Sequence, residues 1–292
     1  MGISKRGIGA GVVAAFALSG CYVVPVAPDG TPVYPAYPIN VPAPLVVPAP
    51  AVAPQAVMPV PAEMVLAQID SVVSDIGVDA VKIGMIGSAE TAHAVAERLE
   101  SLTVPVVFDP VMVATSGSVL ADASTVAAFE RLMRIATLVT PNLPELAALA
   151  GRELDNEVES KIAAEDLASD FGCAVLAKGG HRAPEDTQQT ILLPSGERTD
   201  DLLTDWLIIP PNGWHGWSEP RIDTVHTHGT GCTLASAIGT GLARGEALPD
   251  AVTRARAFVR AALLNAPGLG TGNGPMGHAL GVVPFDLVPK KK

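Results

Sequence analysis

The stretch TLVTPNLPELAALAG, residues 137–151, changes character in its middle. TLVTPN reads as a short apolar strand. LPELAALAG reads as a helix, and Gly151 closes it as a C′ glycine free to take a positive φ. The same alternation extends in both directions. Upstream, AEMVLAQIDSVVSDIG (62–77) carries Val65, Ile69, Val72, Val73 and Ile76 at helical spacing, and VDAVKIGMIG (78–87) reads as a buried strand. SAETAHAVAERLESL (88–102) opens on Ser88 as an N-cap, with Thr91 where a full capping box would have Glu or Gln. VPVVFDPVM (104–112) is a strand ending in Asp109-Pro110, and ASTVAAFERLMRIA (123–136) is a helix. Downstream, ESKIAAEDLASDFG (159–172) is helical and CAVLAKGG (173–180) is a strand ending in paired glycines. Short apolar strands alternating with helices predict an α/β fold, a mostly parallel sheet covered by helices on both faces.

In such sheets, ligands bind beyond the carboxyl ends of the strands. Asp109, Thr140, Asn142, Glu145, Lys178, Gly179 and Gly180 all fall there. Each has a plainer reading. Asp109 can be a turn residue, Asn142 and Glu145 can cap the following helix, and Lys178 can be a loop lysine. Their convergence on one sheet edge points to a site.

A second cluster lies at HGTGCTLASAIGTGLARG, residues 228–245. Gly229 and Gly231 permit positive φ and close backbone approach. The apolar run from Leu234 to Leu242 predicts a helix with Cys232 in its first turn. Free N–H groups over 230–233 and the helix dipole then form an anion hole suited to a phosphoryl group. A thiol there is expected below its usual pKa, towards roughly 3.5–7.5, and so usable as a base. The alternative is a small cysteine packing the helix start. His181, His226 and His228 have no evident companions for metal ligation and fit turn or surface roles. Trp206, Trp214 and Trp217 lie in a Pro/Gly-rich stretch, 205–220, read as irregular loop packing or a flap.

The chain's 292 residues are 48% hydrophobic, enough for a full core, and the net charge of −11 excludes nucleic acid as the main partner. Three cysteines, Cys21, Cys173 and Cys232, give neither a disulfide framework nor CxxC zinc spacing. Residues 1–21 have Lys5 and Arg6, an apolar run and Leu18-Ser19-Gly20-Cys21, which resembles a lipoprotein signal segment. That implies cleavage before Cys21 and membrane attachment through its thiol. Residues 22–61 are Pro-rich and predict an extended linker. The domain is expected over 62–285, with a basic tail at 286–292.

Several blocks together resemble the hydroxymethylpyrimidine/phosphomethylpyrimidine kinases of thiamine biosynthesis, in the ribokinase-like superfamily. They are VDAVKIGMIGSAET, VPVVFDPVMVATSG, TLVTPNLPELAALAG, AKGGH, RIDTVHTHGTGCTLASAI and APGLGTGNGP, spanning about Ala62 to Gly281. The resemblance implies a ribokinase-like three-layer αβα sandwich that transfers the γ-phosphoryl of ATP, with Mg²⁺, to the pyrimidine's hydroxymethyl group or its phosphate. It implies Cys232 as the base, Gly229, Thr230 and Gly231 as the anion hole, and Asn142 and Glu145 in the Mg²⁺–phosphate shell. It places Asp109, Thr140 and Lys178 near the nucleotide phosphates, and Met85 and Val111 near the pyrimidine. A pyridoxal-type kinase fits less well, because those relatives generally carry Asp where Cys232 stands.

The chain departs from the family pattern before Ala62. The family's first strand, its Gly/Ser/Asp-rich loop and a substrate-binding Gln are replaced by the leader and linker, so an N-terminally truncated fold is expected. The resemblance makes the missing strand central and the missing loop part of the pyrimidine pocket. Thr115 stands where the family usually has Lys, and 182–220 is longer than expected. The partners expected are the pyrimidine and ATP, with a homodimer as the assembly considered. The family works in the cytosol, which conflicts with the leader. The alternative is a membrane-anchored lipoprotein whose inactive kinase-like domain serves as a binding module.

Overall fold

The computed structural model describes residues 14–15, 59–113, 120–181, 191–192, 198–199 and 201–282. The basic tail, Thr115, Cys21, and the leader and linker apart from 14–15 and 59–61 lie outside the described residues. A seven-stranded sheet has the order β1-β2-β3-β4-β5-β8-β9. Its strands are β1 (Ala14–Ala15), β2 (Val81–Ile83), β3 (Val106–Phe108), β4 (Leu138–Val139), β5 (Ala174–Ala177), β8 (Leu202–Ile209) and β9 (Gly213–Pro220). β1 to β5 run parallel, while β8 and β9 add antiparallel. Two short strands, β6 (Ile191–Leu192) and β7 (Arg198–Thr199), pair apart from it.

The helices are α1 (Ala62–Asp75), α2 (Ala89–Leu99), α3 (Ala123–Ile135), α4 (Leu143–Ala150), α5 (Glu157–Phe171), α6 (Thr230–Ala243) and α7 (Leu248–Leu264). Pro61 is the N-cap of α1. Ser88, Asp122 and Asn156 accept the amides of Thr91, Thr125 and Glu159, each satisfying an orphan donor at its helix start. Gly151 and Gly172 close α4 and α5 in the left-handed conformation.

Period-two alternation divides the strands between two cores. Val81, Ile83, Val106, Phe108, Val139 and Val175 face α1–α5. Val107, Leu138, Leu176 and Leu207 face α6 and α7. Phe108 meets Phe129 of α3 edge-on, with ring centroids 5.1 Å apart. The result is a three-layer αβα sandwich.

Two features differ from the sequence reading. Residues 205–220 are not irregular: they hold most of β8 and all of β9, a long hairpin extending the sheet. Trp206 and Trp214 flank Lys161, whose ammonium lies 5.1 and 4.6 Å from their rings. Of the prolines and glycines that suggested a loop, Pro210 and Pro211 form its turn, 210–212, and the rest lie within β9. The second difference is β1. Two leader residues lie beside β2, with Ala14 paired to Val81 and Ala15 to Lys82.

Candidate active site

Asp109 follows β3 and is 1% exposed. A bare carboxylate there would be costly, and three side chains hold it. Lys178, after β5, donates to Oδ1 at 3.0 Å, Thr140, after β4, donates to the same oxygen at 3.0 Å, and Lys82 Nζ of β2 lies 3.9 Å from Oδ2. Burial alone would raise the Asp109 carboxyl, but the charges of Lys178 and Lys82 and the two hydrogen bonds bring it below its usual range. Burial likewise disfavours the Lys178 ammonium, yet Asp109, Glu145 and Cys232 outweigh this and raise it. Thr140 is fully buried, so its hydroxyl serves to fix Asp109.

The helix start faces this cluster. Gly229 takes φ +82°, and no side chain among the described residues caps α6. A Cβ on Gly231 would lie 3.3 Å from Lys178 Nζ and 3.6 Å from Asp109 Oδ2. The amide and hydroxyl of Thr230 both turn back to the Thr227 carbonyl. The Thr233 amide donates to the Gly229 carbonyl, so the amides of Gly231 and Cys232 are the ones at the helix start without a partner among the described residues.

Cys232 corrects a further expectation. Its thiol is raised rather than lowered. Enclosure by the protein contributes most, although the residue as a whole reaches solvent, and Asp109 adds to the rise. The charges of Lys82 and Lys178 act in the opposite sense. The helix-terminus argument alone left out both the burial and the neighbouring carboxylate.

Asn142 and Glu145 form the reciprocal capping box of α4. Asn142 Oδ1 accepts the Glu145 amide at 2.9 Å, and Glu145 Oε2 accepts the Asn142 amide at 2.8 Å. Glu145 is also buried, which pushes its pKa up to about 6 against the pull of Lys178. Met85 and Val111 sit on the loops leaving β2 and β3, at the same sheet edge, with Met85 exposed.

Lys178 is held through its neighbours. Its amide donates to the Pro141 carbonyl, and the Gly179 amide donates to Asp205 Oδ1 at 2.9 Å. Arg256 Nε binds the other Asp205 oxygen at 2.8 Å. The sequence reading missed Lys82 and Asp205. For Lys82 a signal existed: a lysine inside the apolar run AVKIG, at a position that alternation turns towards a core. His226 packs against Gly274 and its Nδ1 has no partner among the described residues, while His278 Nε2 lies 2.9 Å from Thr233 Oγ1.

The chain has relatives in sequence and in fold. The phosphomethylpyrimidine kinase family profile matches residues 37–277. The chain belongs to the phosphomethylpyrimidine kinase family. The match begins inside the Pro-rich stretch, earlier than the blocks quoted above. A hydroxymethylpyrimidine/phosphomethylpyrimidine kinase of Streptomyces coelicolor is 42% identical over 225 residues, 77% of each chain. The thiamine biosynthesis bifunctional protein ThiED of Geobacter sulfurreducens is 43% identical over 76% of this chain and 42% of its own. The ADP complex of Bacillus subtilis pyridoxal kinase superposes with TM-score 0.66 at 27% identity, covering 78% of this chain and 81% of that one. Family members of this kind are phosphotransferases. Among the described residues no helix is long and apolar enough to cross a membrane.

Proposed function

We propose that this kinase moves the γ-phosphoryl of ATP onto the hydroxymethyl group of a hydroxymethylpyrimidine, and then onto the resulting phosphate. The observation that carries this is the approach of the α6 N-terminus to Lys178 and Asp109. Free amides of Gly231 and Cys232, a helix dipole and the Lys178 ammonium converge where transferring phosphoryl oxygens would be stabilised. The S. coelicolor relative's name supports the pyrimidine as acceptor, and the ADP held by the B. subtilis structure supports the nucleotide.

In this reading Cys232 takes the proton of the acceptor hydroxyl. The oxygen then bonds to the γ-phosphorus, the bridging P–O bond breaks and ADP leaves. The adenosine lies in the groove lined by Asn265, Pro267, Met276 and His278, which the His278–Thr233 bond ties to α6. Met85 and Val111 border the pyrimidine.

Glu145 fits a Mg²⁺–phosphate shell of the one-carboxylate kind. Its Oε2 is taken by the capping box, which leaves Oε1, and Asn142 fixes the carboxylate's orientation. When bound, the ion would neutralise phosphate charge. The cytosol, where ATP is supplied, is the working compartment in this reading.

The test is a coupled ADP-release assay with hydroxymethylpyrimidine, its monophosphate and pyridoxal as separate acceptors. Turnover with the two pyrimidines above that with pyridoxal is the expected result. ADP release that no acceptor stimulates would overturn it.

A further inference from the structure

The ladder between β5 and β8 ends where Ala177 pairs with Trp206. Asp205 comes next on β8, and alternation gives it the face of Leu207, against α6 and α7. A carboxylate on that face must be paired. Its Oδ2 accepts from Arg256 Nε of α7 at 2.8 Å, and its Oδ1 accepts the Gly179 amide at 2.9 Å. Arg256 is itself only 8% exposed, and its Nη2 lies 3.1 Å from Glu219 Oε2 on β9. The turn that carries Lys178 therefore leaves the sheet on a side-chain oxygen rather than a backbone carbonyl. It has no slack there, because a Cβ on Gly179 would collide with the Thr204 carbonyl. At the next residue of the turn, Arg221 Nη1 donates to the Gly180 carbonyl at 3.3 Å, and Arg221 Nε binds Asp201 Oδ1 at 2.9 Å.

We propose that Asp205 is a positioning residue for phosphate binding: held by Arg256, its carboxylate fixes the turn 178–180 and so aims the Lys178 ammonium at the nucleotide phosphates. This rests on the reading of Lys178 as a phosphate ligand. Asp205 acts through the Gly179 amide and takes no part in the chemical step. Lys178 needs support from behind. Its Nζ is held by Asp109 at 3.0 Å, so it must meet a phosphate without leaving that carboxylate. Its own amide is fixed on the Pro141 carbonyl and the next amide on Asp205, so the lysine stem starts from one place. Gly179 is buried. Deprived of the carboxylate, its amide would be left unpaired, and the turn would shift to find it a partner. A small shift of a group that must meet a phosphate is costly.

The test is the dissociation constant of ATP and of adenosine for the full-length protein, measured by calorimetry without an acceptor. A hydrogen bond from an ammonium to a phosphate is worth about ten- to a hundredfold in affinity. Asp205→Ala should therefore weaken ATP binding by about tenfold or more. Adenosine has no phosphate for Lys178 to meet, so its affinity should not change. Asp205→Asn keeps an oxygen for the Gly179 amide but loses the charge that holds Arg256, and should fall between. A folded Asp205→Ala protein that binds ATP like wild type overturns the proposal. So does an equal loss for ATP and adenosine, which would make Asp205 a support of the fold alone. If Asp205→Ala does not fold, wild-type ATP affinity in Asp205→Asn overturns it. A protein that binds ATP in the expected pattern but transfers phosphate to no pyrimidine keeps the positioning role and loses the kinase reading. A wild type that transfers phosphate while Asp205→Ala binds ATP unchanged keeps the kinase reading and loses the role.

Discussion

Asp109 and Lys178, 69 residues apart in sequence, hold a 3.0 Å hydrogen bond between the ends of β3 and β5, with Asp109 fully enclosed. Lys82 and Thr140 complete the same carboxylate's shell, so four parallel strands meet at one charge. Replacing Asp109 by Asn leaves two enclosed lysines without their counterion. The expected loss of stability is about 3–5 kcal/mol, read by urea denaturation. The acid side has a definite sign. In the folded protein the Asp109 carboxyl titrates below the ordinary carboxylate range, so its contribution is present above that range and is lost as pH falls through the lower, folded value. Asp109→Asn should remove that part of the acid sensitivity. An Asn variant as stable as wild type would show that the lysines do not need the charge.

Glu145 behaves in the opposite way. Its folded pKa is raised from 4.5 to about 6 by burial, so its favourable contribution is full below 4.5 and lost as pH rises through about 6. The difference corresponds to about 2 kcal/mol. Glu145→Gln, neutral throughout, should lose less stability than wild type between pH 4.5 and 7. Parallel curves for the two proteins would contradict the assignment.

Gly179 opens a single 3-10 turn, Gly179–His181, and an added Cβ would collide with the Thr204 carbonyl oxygen. Because that neighbour is backbone in β8, the turn carrying Lys178 must move. Gly179→Ala is expected to destabilise by about 1–3 kcal/mol and to lower phosphate transfer with it. Unchanged melting and unchanged turnover would mean that β8 yields at no cost.

The strand–helix alternation through residue 180 was legible because the apolar runs are short, the helices amphipathic and the caps chemically explicit. Asn142 and Glu145 display both of their readings in the sequence, and the structure realises the capping box while leaving one carboxylate oxygen over. The hairpin β8–β9 was illegible because Trp206, Trp214 and Trp217 lie among prolines and glycines. Its stability comes from pairing with β5 and from Lys161 between two rings, contacts without a local signature. α7 escaped notice because Arg254, Arg256 and Arg260 mask its apolar stripe; Arg256 is buried against Asp205 and Glu219. The thiol's direction was misjudged because a helix terminus can be read locally, whereas enclosure and the charge of Asp109 cannot.

β1 makes the leader testable. Ala14 and Ala15 pair with Val81 and Lys82, so a chain lacking residues 1–21 would leave β2 as an open edge. Hydrogen exchange at the β2 amides should then accelerate, with more self-association. Unchanged exchange in the shortened chain would show that the β2 amides owe no protection to this pairing.

The raised thiol of Cys232 leads to a pH profile that separates a base from a packing residue. Only the thiolate can accept the acceptor's proton. Below the thiol's pKa, the single-turnover rate should therefore climb about tenfold per pH unit, through neutrality and beyond 8. Cys232→Ala removes the base, which is typically worth about 10²–10⁴-fold, and should flatten the climb. The amides of Gly231 and residue 232 remain in that variant, so nucleotide affinity should change little and some transfer should persist. Cys232→Asp places a carboxylate at the same helix start, already ionised at neutral pH. It should transfer faster than the Ala variant and show a flatter profile than wild type. The measurement is single-turnover transfer across pH for the three proteins, with the nucleotide dissociation constant in parallel. Equal rates for wild type and Ala at every pH would reduce the thiol to filling the start of α6. An alkaline climb that survives in the Ala variant would assign the titrating base to another group.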